Sequence, residues 1–277
     1  MDLKIYVSYF NPFQIIPQNS VLIPVQAGKE KSKNDLNILG DNTGENISSL
    51  NNIYSELTVL FWVWKNCQAS KYVGFCHYRR FFDFNNKEYF PLPYKKHNEN
   101  ELLNFNVLPQ NNVIDLLNNY DLIIPRKIVM PHSLKRNYEK NHNAQHIVEL
   151  RNTIYKLFPE YLPSFDYTFE KTNKLPPYNM FVAKWELFHQ YCNFIFTIFA
   201  DLQKDIKIPE DKHQQRIFGF MSERLLAVFI EHHKLKTKEI LILLFNKNAK
   251  ERSKFTFYFG NLIKNINFRI RLISKRF

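Results

Sequence analysis

Tyr72-Val73-Gly74-Phe75-Cys76-His77-Tyr78-Arg79-Arg80-Phe81-Phe82 is the stretch from which the fold of this chain is read. Its first five residues form an unbroken apolar run of strand length, with no alternating polar face. A strand apolar on both sides belongs inside a sheet that helices cover. The run stops at His77-Tyr78-Arg79-Arg80. In open α/β sheets, ligands bind beyond the carboxyl ends of the strands. Arginine carries a planar fork of N–H donors that matches phosphate oxygens. Two readings of the pair stand side by side: the arginines hold a diphosphate, or one pairs with a carboxylate while the other is solvated.

Working outward, the pattern of strands and helices repeats. Lys4 to Val7 and Val21 to Val25 are short apolar runs expected as strands, with a polar loop from Gly28 to Gly44 after them. Leu50, Ile53, Leu57, Leu60, Phe61 and Trp64 recur at helical spacing, which predicts a helix over Leu50 to Asn66 with Ser48 or Ser49 as its cap. Asp121 to Pro125 and Met180 to Ala183 are expected as strands. Lys135 to Phe158, Trp185 to Leu202 and Gln214 to His232 are expected as helices, and the Asn-rich segment 85–112 as irregular. Strands alternating with helices give an α/β class.

Composition narrows the function. With 45% hydrophobic residues, the 277-residue chain has enough apolar material for a substantial core. Its six glycines form no cluster, which argues against a P-loop or a dinucleotide-binding turn. Cys67, Cys76 and Cys192 include no CxxC pair and suit buried, reduced thiols. The start reads as a strand rather than a signal peptide, and no apolar run reaches membrane-spanning length. The net charge is +12, but residues 247–277 hold nine Lys or Arg against one acid, Glu251. The basic character is therefore concentrated in one tail. That tail interleaves Phe, Ile and Leu with Lys and Arg, a pattern suited to an anionic membrane surface or to a basic helix at an oligomer contact. The expected division is a catalytic domain over 1–246 and a basic amphipathic extension over 247–277.

Other polar clusters carry candidate chemistry. Asp41-Asn42-Thr43-Gly44-Glu45-Asn46-Ile47-Ser48 precedes a helix N-terminus, where free N–H groups favour anions, unless it is a plain loop with a capping serine. Glu56 sits in apolar surroundings and must be paired or beside a cavity. Asn179 enters an apolar strand. Arg216, Gly219 and Glu223 share one helix face, so Glu223 can act as a base, or it can bond Arg216 or Arg224 and only lock the helix. His142 and His146 are four apart, without an HExxH pattern, and fit an acceptor cleft or the surface better than zinc. No Gly-x-Ser-x-Gly elbow is present.

Together these segments resemble one family. Pro24-Val25-Gln26-Ala27-Gly28, Asp41 to Ser48, Glu56-Leu57-Thr58 with Trp64-Lys65-Asn66, and His77 to Phe82 stand in its order, followed by Asn179-Met180-Phe181 and Gly219-Phe220 with Ser222-Glu223-Arg224-Leu225. The family is that of bacterial galactofuranosyltransferases of capsule and O-antigen clusters, formerly a domain of unknown function. The resemblance runs from about residue 3 to residue 232. It implies a GT-A-like fold with a mixed central sheet flanked by helices, and β-forming transfer of galactofuranose from UDP-galactofuranose. The implied acceptor is a lipid-linked capsule or lipopolysaccharide glycan. The implied location is the cytoplasm, peripheral on the inner face of the inner membrane. Asn42, Glu45, Phe81 and Ser8-Tyr9-Phe10 depart from the family pattern and bear on the donor more than on the reaction class.

An inverting transfer needs a base, an in-line attack and stabilisation of the departing diphosphate. The favoured base is Glu223, with Asp121 second. His77, Arg79, Arg80, Asp41, Thr43, Asn46 and Asn179 are the expected donor-binding residues, and His142 and Arg216 the acceptor-binding ones. GT-A enzymes often place a divalent Mn or Mg on an Asp-x-Asp motif. None is present here, and Asp83-Phe84-Asn85 is its nearest echo, so the metal requirement stays open. Competing readings are a pyranose donor, a non-catalytic assembly scaffold, and a nucleic-acid-binding protein, the last weakened because most of the charge sits in one tail.

Overall fold

Residues 2–12, 15–17, 20–67, 70–85, 92–105, 110–247 and 254–274 are described by the structure, a computed structural model. In chain order the strands are β1 (Leu3–Tyr9), β2 (Leu22–Gln26), β3 (Leu39–Gly40), β4 (Tyr72–His77), β5 (Arg80–Phe82), β6 (Tyr94–Asn98), β7 (Leu122–Pro125), β8 (Ile128–Val129), β9 (Lys174–Leu175), β10 (Phe181–Lys184), β11 (Thr237–Ile240) and β12 (Ile242–Asn246). The helices are α1 (Asn51–Tyr54), α2 (Leu57–Asn66), α3 (Gln110–Asn119), α4 (Leu134–Asn141), α5 (Gln145–Leu157), α6 (Leu162–Lys171), α7 (Trp185–Leu202), α8 (Ile217–His232) and α9 (Lys254–Ser274).

The main sheet is mixed and runs β11-β7-β10-β4-β1-β2-β3. β1, β2, β3 and β4 are mutually parallel. β10 is antiparallel to both β4 and β7, so β4 and β7 point the same way. β4 is buried on both faces up to His77, as its apolar run requires. Gly74 sits at the tightest point, where a Cβ would lie 2.9 Å from Val182 Cγ2 and 3.1 Å from Ile5 Cγ1. One hydrophobic core lies between the sheet and α1, α2 and α5 to α8. A second covers the other face around Phe81, Phe82, Val113 and Phe245. This is the expected α/β class with a mixed sheet between helices.

Three expected elements differ. The helix over 50–66 breaks at Ser55, whose φ of 53° lies in the left-handed region. Asn51 bridges the break, its Nδ2 donating to Ser55 O at 2.7 Å and to Thr58 Oγ1 at 3.1 Å. The helix over 135–158 breaks at His142, whose backbone is extended, giving α4 and α5. Segment 85–112 contains β6, which pairs in parallel with β12, a 3-10 turn over 99–104 and the start of α3; its residues 86–91 and 106–109 lie outside the described ones. β12 closes the sheet against β5 before the tail begins, and the tail's described part is α9. Among the described residues no helix is long and apolar enough to cross a membrane.

Candidate functional site

β4 ends at His77, Tyr78 and Arg79 turn, and Arg80 pairs back onto His77 as β5 begins. Tyr78 N–H donates to Ser8 O at 3.1 Å, tying the turn to the end of β1. Arg79 O accepts from Phe245 N–H at 2.9 Å, tying it to β12. Because the strand has ended, alternation no longer separates the arginines, and both line one cleft of about 600 Å³. Its other walls are Ser8 and Phe10 after β1, the α1–α2 break with Ser55 and Glu56, Tyr178, and Lys212, Arg216 and Glu223 on the α8 side.

Among the described residues, neither guanidinium is paired with a carboxylate. The Arg79 guanidinium bonds Asn246 Oδ1 at 3.5 Å and lies 5.3 Å from the centre of the Tyr78 ring. Arg80 lies 4.4 Å from the centre of the Tyr178 ring and hydrogen-bonds the Tyr178 side chain. The Nε of each is buried with no hydrogen-bond partner. Burial disfavours the charge of Arg80, and the adjacent Arg79 adds to this effect. An anion placed between them offsets both the burial and the repulsion.

The carboxylates stand opposite. Glu56 accepts from Asn179 Nδ2 at 2.7 Å and pairs with Arg216 Nη2 at 3.6 Å, while Arg216 Nε donates to Ser55 Oγ at 2.8 Å. Glu223 accepts from Tyr178 N–H at 2.7 Å, and His77 Nε2 donates to Tyr178 O at 2.5 Å. The backbone of one residue, Tyr178, thus joins the end of β4 to α8. Tyr178 and Asn179 hold φ of 74° and 51°, left-handed values that cost non-glycine residues about 1–2 kcal/mol each. Burial pushes the Glu223 carboxyl above the usual range, partly opposed by Arg224. Burial pushes His77 down, opposed by Glu56, so the imidazole is neutral and its donated proton sits on Nε2.

His77, Arg79, Arg80, Arg216 and Glu223 therefore meet in one cleft, and the other expected site residues stand elsewhere. Asp41 is fully buried and accepts from Gly28 N–H at 2.8 Å, Lys29 N–H at 3.1 Å and Ser48 Oγ at 2.5 Å. Thr43 accepts from Trp62 Nε1 at 2.9 Å. Asn46 bonds within its own loop, to Ser48 N–H and Gly44 O. Asn179 lies behind Glu56, donating to it and to Gly219 O, and its own Oδ1 is buried without a partner. His142 bonds Gln214 Oε1 at 2.8 Å and stacks on Phe220. Asp121, the second candidate base, does not line the cleft. It precedes β7, at the sheet edge opposite the cleft, and accepts from Lys236 N–H at 2.7 Å to clasp β7 to β11. Arg224, an alternative partner for Glu223, instead bonds Phe220 O and Asn137 Oδ1. Tyr178 and Lys212 were not singled out from the sequence. The Pro176-Pro177 pair ahead of Tyr178 is the only cue to it.

Among the described residues no three His, Cys, Asp or Glu side chains converge. Glu56 and Glu223 are committed to separate partners, and Asp83 does not line the cleft.

Comparison with known proteins follows the same geometry. The chain is similar to the solved apo structure of the WbbM bifunctional glycosyltransferase, at 28% sequence identity and a TM-score of 0.80, over 89% of this chain and 46% of that one. It thus spans less than half of that neighbour. No curated protein matches. A protein-family match, to the domain of unknown function DUF4422, takes in residues 4–234. With that much of its 277 residues matched, the chain belongs to the DUF4422 family.

Proposed function

We propose that the chain is a glycosyltransferase that takes its sugar from a nucleoside-diphosphate carrier, with UDP-galactofuranose as the favoured donor and a lipid-linked capsule or lipopolysaccharide glycan as acceptor. The observation that carries this reading is the pair of guanidiniums on the β4–β5 turn, neither of them paired with a carboxylate among the described residues, facing Glu223 across one cleft. The likeness to WbbM supports glycosyl transfer as the class. The galactofuranose donor rests on the motif resemblance.

In this reading Glu223 takes the proton from an acceptor hydroxyl. The hydroxyl oxygen forms a bond to the anomeric carbon while that carbon's bond to the diphosphate oxygen breaks, inverting the centre. The electron pair leaves with UDP, whose growing charge Arg79 and Arg80 stabilise. A raised carboxyl pKa makes Glu223 a stronger base than a solvated glutamate. Fixed donors aimed at developing charge contribute about 10²–10³ in rate. No step here passes through a metal.

The test is turnover against a panel of UDP-sugars with a glycan acceptor, reading released UDP and product linkage. The expected result is product from UDP-galactofuranose with inversion. Turnover only with a pyranose donor would replace the donor assignment, and neither product nor UDP binding would overturn the class.

A further inference from the structure

We propose that α9 docks this protein flat on an anionic phospholipid bilayer, and that a basic cleft beside it receives the headgroup phosphates. The proposal is independent of the glycosyl-transfer reading.

α9 is divided lengthwise into two faces. Phe268 is buried against the body, Asn265 Oδ1 accepts from Asn173 Nδ2 at 3.2 Å, and Arg271 reaches Pro131 O and His132. On the far side, Phe259, Ile263, Ile266, Ile270 and Ile273 are 47–60% exposed. At about 100° per residue these five fall within an arc of about 80°, with Phe268 diametrically opposite. Scattered single apolar residues need no explanation, but a continuous stripe along a helix of 21 residues marks an interaction surface.

Charge selects the occupant. Arg269 flanks the stripe on one side. Next to Arg269, between α6, α8 and α9, lies a cleft of about 440 Å³ lined by Lys127, Lys171, Lys174, Asn173 and Arg269. Lys127 pairs with Glu239, and Glu231, the one acid of the cleft wall among the described residues, is engaged by Lys234. Lys171, Lys174 and Arg269 form no ion pair among the described residues. A second copy docking through this face would set these cations against their own kind, whereas an anionic bilayer neutralises them while it covers the stripe.

The topology adds an orientation. β4 and β7 point the same way, and α9 packs on β8, just beyond the carboxyl end of β7. The docking helix and the arginine cleft therefore share one edge of the sheet, and docking through α9 brings that edge to the bilayer.

Flotation of the full chain with vesicles of phosphatidylcholine, with and without phosphatidylglycerol, tests this. Ile263→Ser with Ile270→Ser removes part of the stripe, and Lys171→Gln with Arg269→Gln removes charge; thermal unfolding and UDP binding serve as controls that neither pair should change. The wild type is expected to bind phosphatidylglycerol vesicles at least about tenfold more tightly than neutral ones, less so at high salt, and each double variant to lose about tenfold or more. Binding that ignores phosphatidylglycerol, or is equal in all three proteins, would overturn the proposal. So would an oligomer that the serine variant dissociates while vesicle binding stays absent.

Discussion

The Tyr78–Arg80 turn and the Asp41–Ser48 loop look alike in sequence and behave in opposite ways. Both are polar, both lie near the carboxyl ends of parallel strands, and both read as places for a phosphate. The loop closes on itself. Asp41 takes three donors, Thr43 takes the Trp62 indole, and Asn46 bonds its own turn. The turn does not close, because two buried Nε atoms have no partner and the arginines face a cleft. The lesson is an accounting of donors and acceptors. A buried polar cluster that satisfies itself holds a fold together, and one left with open donors is arranged for a ligand.

That contrast can be broken in three ways. The largest expected effect is on turnover. Glu223→Gln should lower kcat by about 10³, within the usual range for a general base. Its stability should move the other way. Burial raises the folded carboxyl's pKa above its unfolded value, so the group favours the fold at acid pH, and that contribution is lost as pH rises through the folded pKa. The Gln variant escapes the loss, so its Tm should exceed the wild type's at pH 8, with the gap closing toward pH 4. Wild-type activity should fall as pH drops through that same raised pKa. A Gln variant that is active, or less stable at pH 8, contradicts the assignment.

Asp41→Ala comes next. It strands the Gly28 and Lys29 N–H groups and Ser48 Oγ in the interior, at a cost of about 3 kcal/mol. Calorimetry should show a Tm lower by about 6–10 °C, with UDP affinity of the folded protein unchanged. Weakened UDP binding at an unchanged Tm would erase the distinction between loop and turn.

Much of the frame was legible because it rests on local signals. Trp185–Leu202 is a helix to the residue, and β4 ends at His77, one residue past its apolar run. Breaks and long-range pairings were not. Ser55 is compatible with a helix, and only the Asn51 bridge and the Arg216 bond to its hydroxyl show why the chain turns there. β5, β6 and β12 join residues more than 140 positions apart, beyond any periodicity. Tyr178 was missed because its role lies in its backbone, whose N–H and C=O hold Glu223 and His77. Asp121 carried a usable signal: it precedes its strand, and the amino end of a strand parallel to β4 faces away from the cleft.

The central claim is that the β4–β5 guanidiniums hold the diphosphate. Titration calorimetry of UDP into the wild type and into Arg79→Lys with Arg80→Lys tests it most directly, because lysine keeps the charge and loses the planar fork. The account predicts binding by the wild type and affinity at least about tenfold weaker in the double variant, at an unchanged Tm. Equal affinity in the two proteins would contradict it.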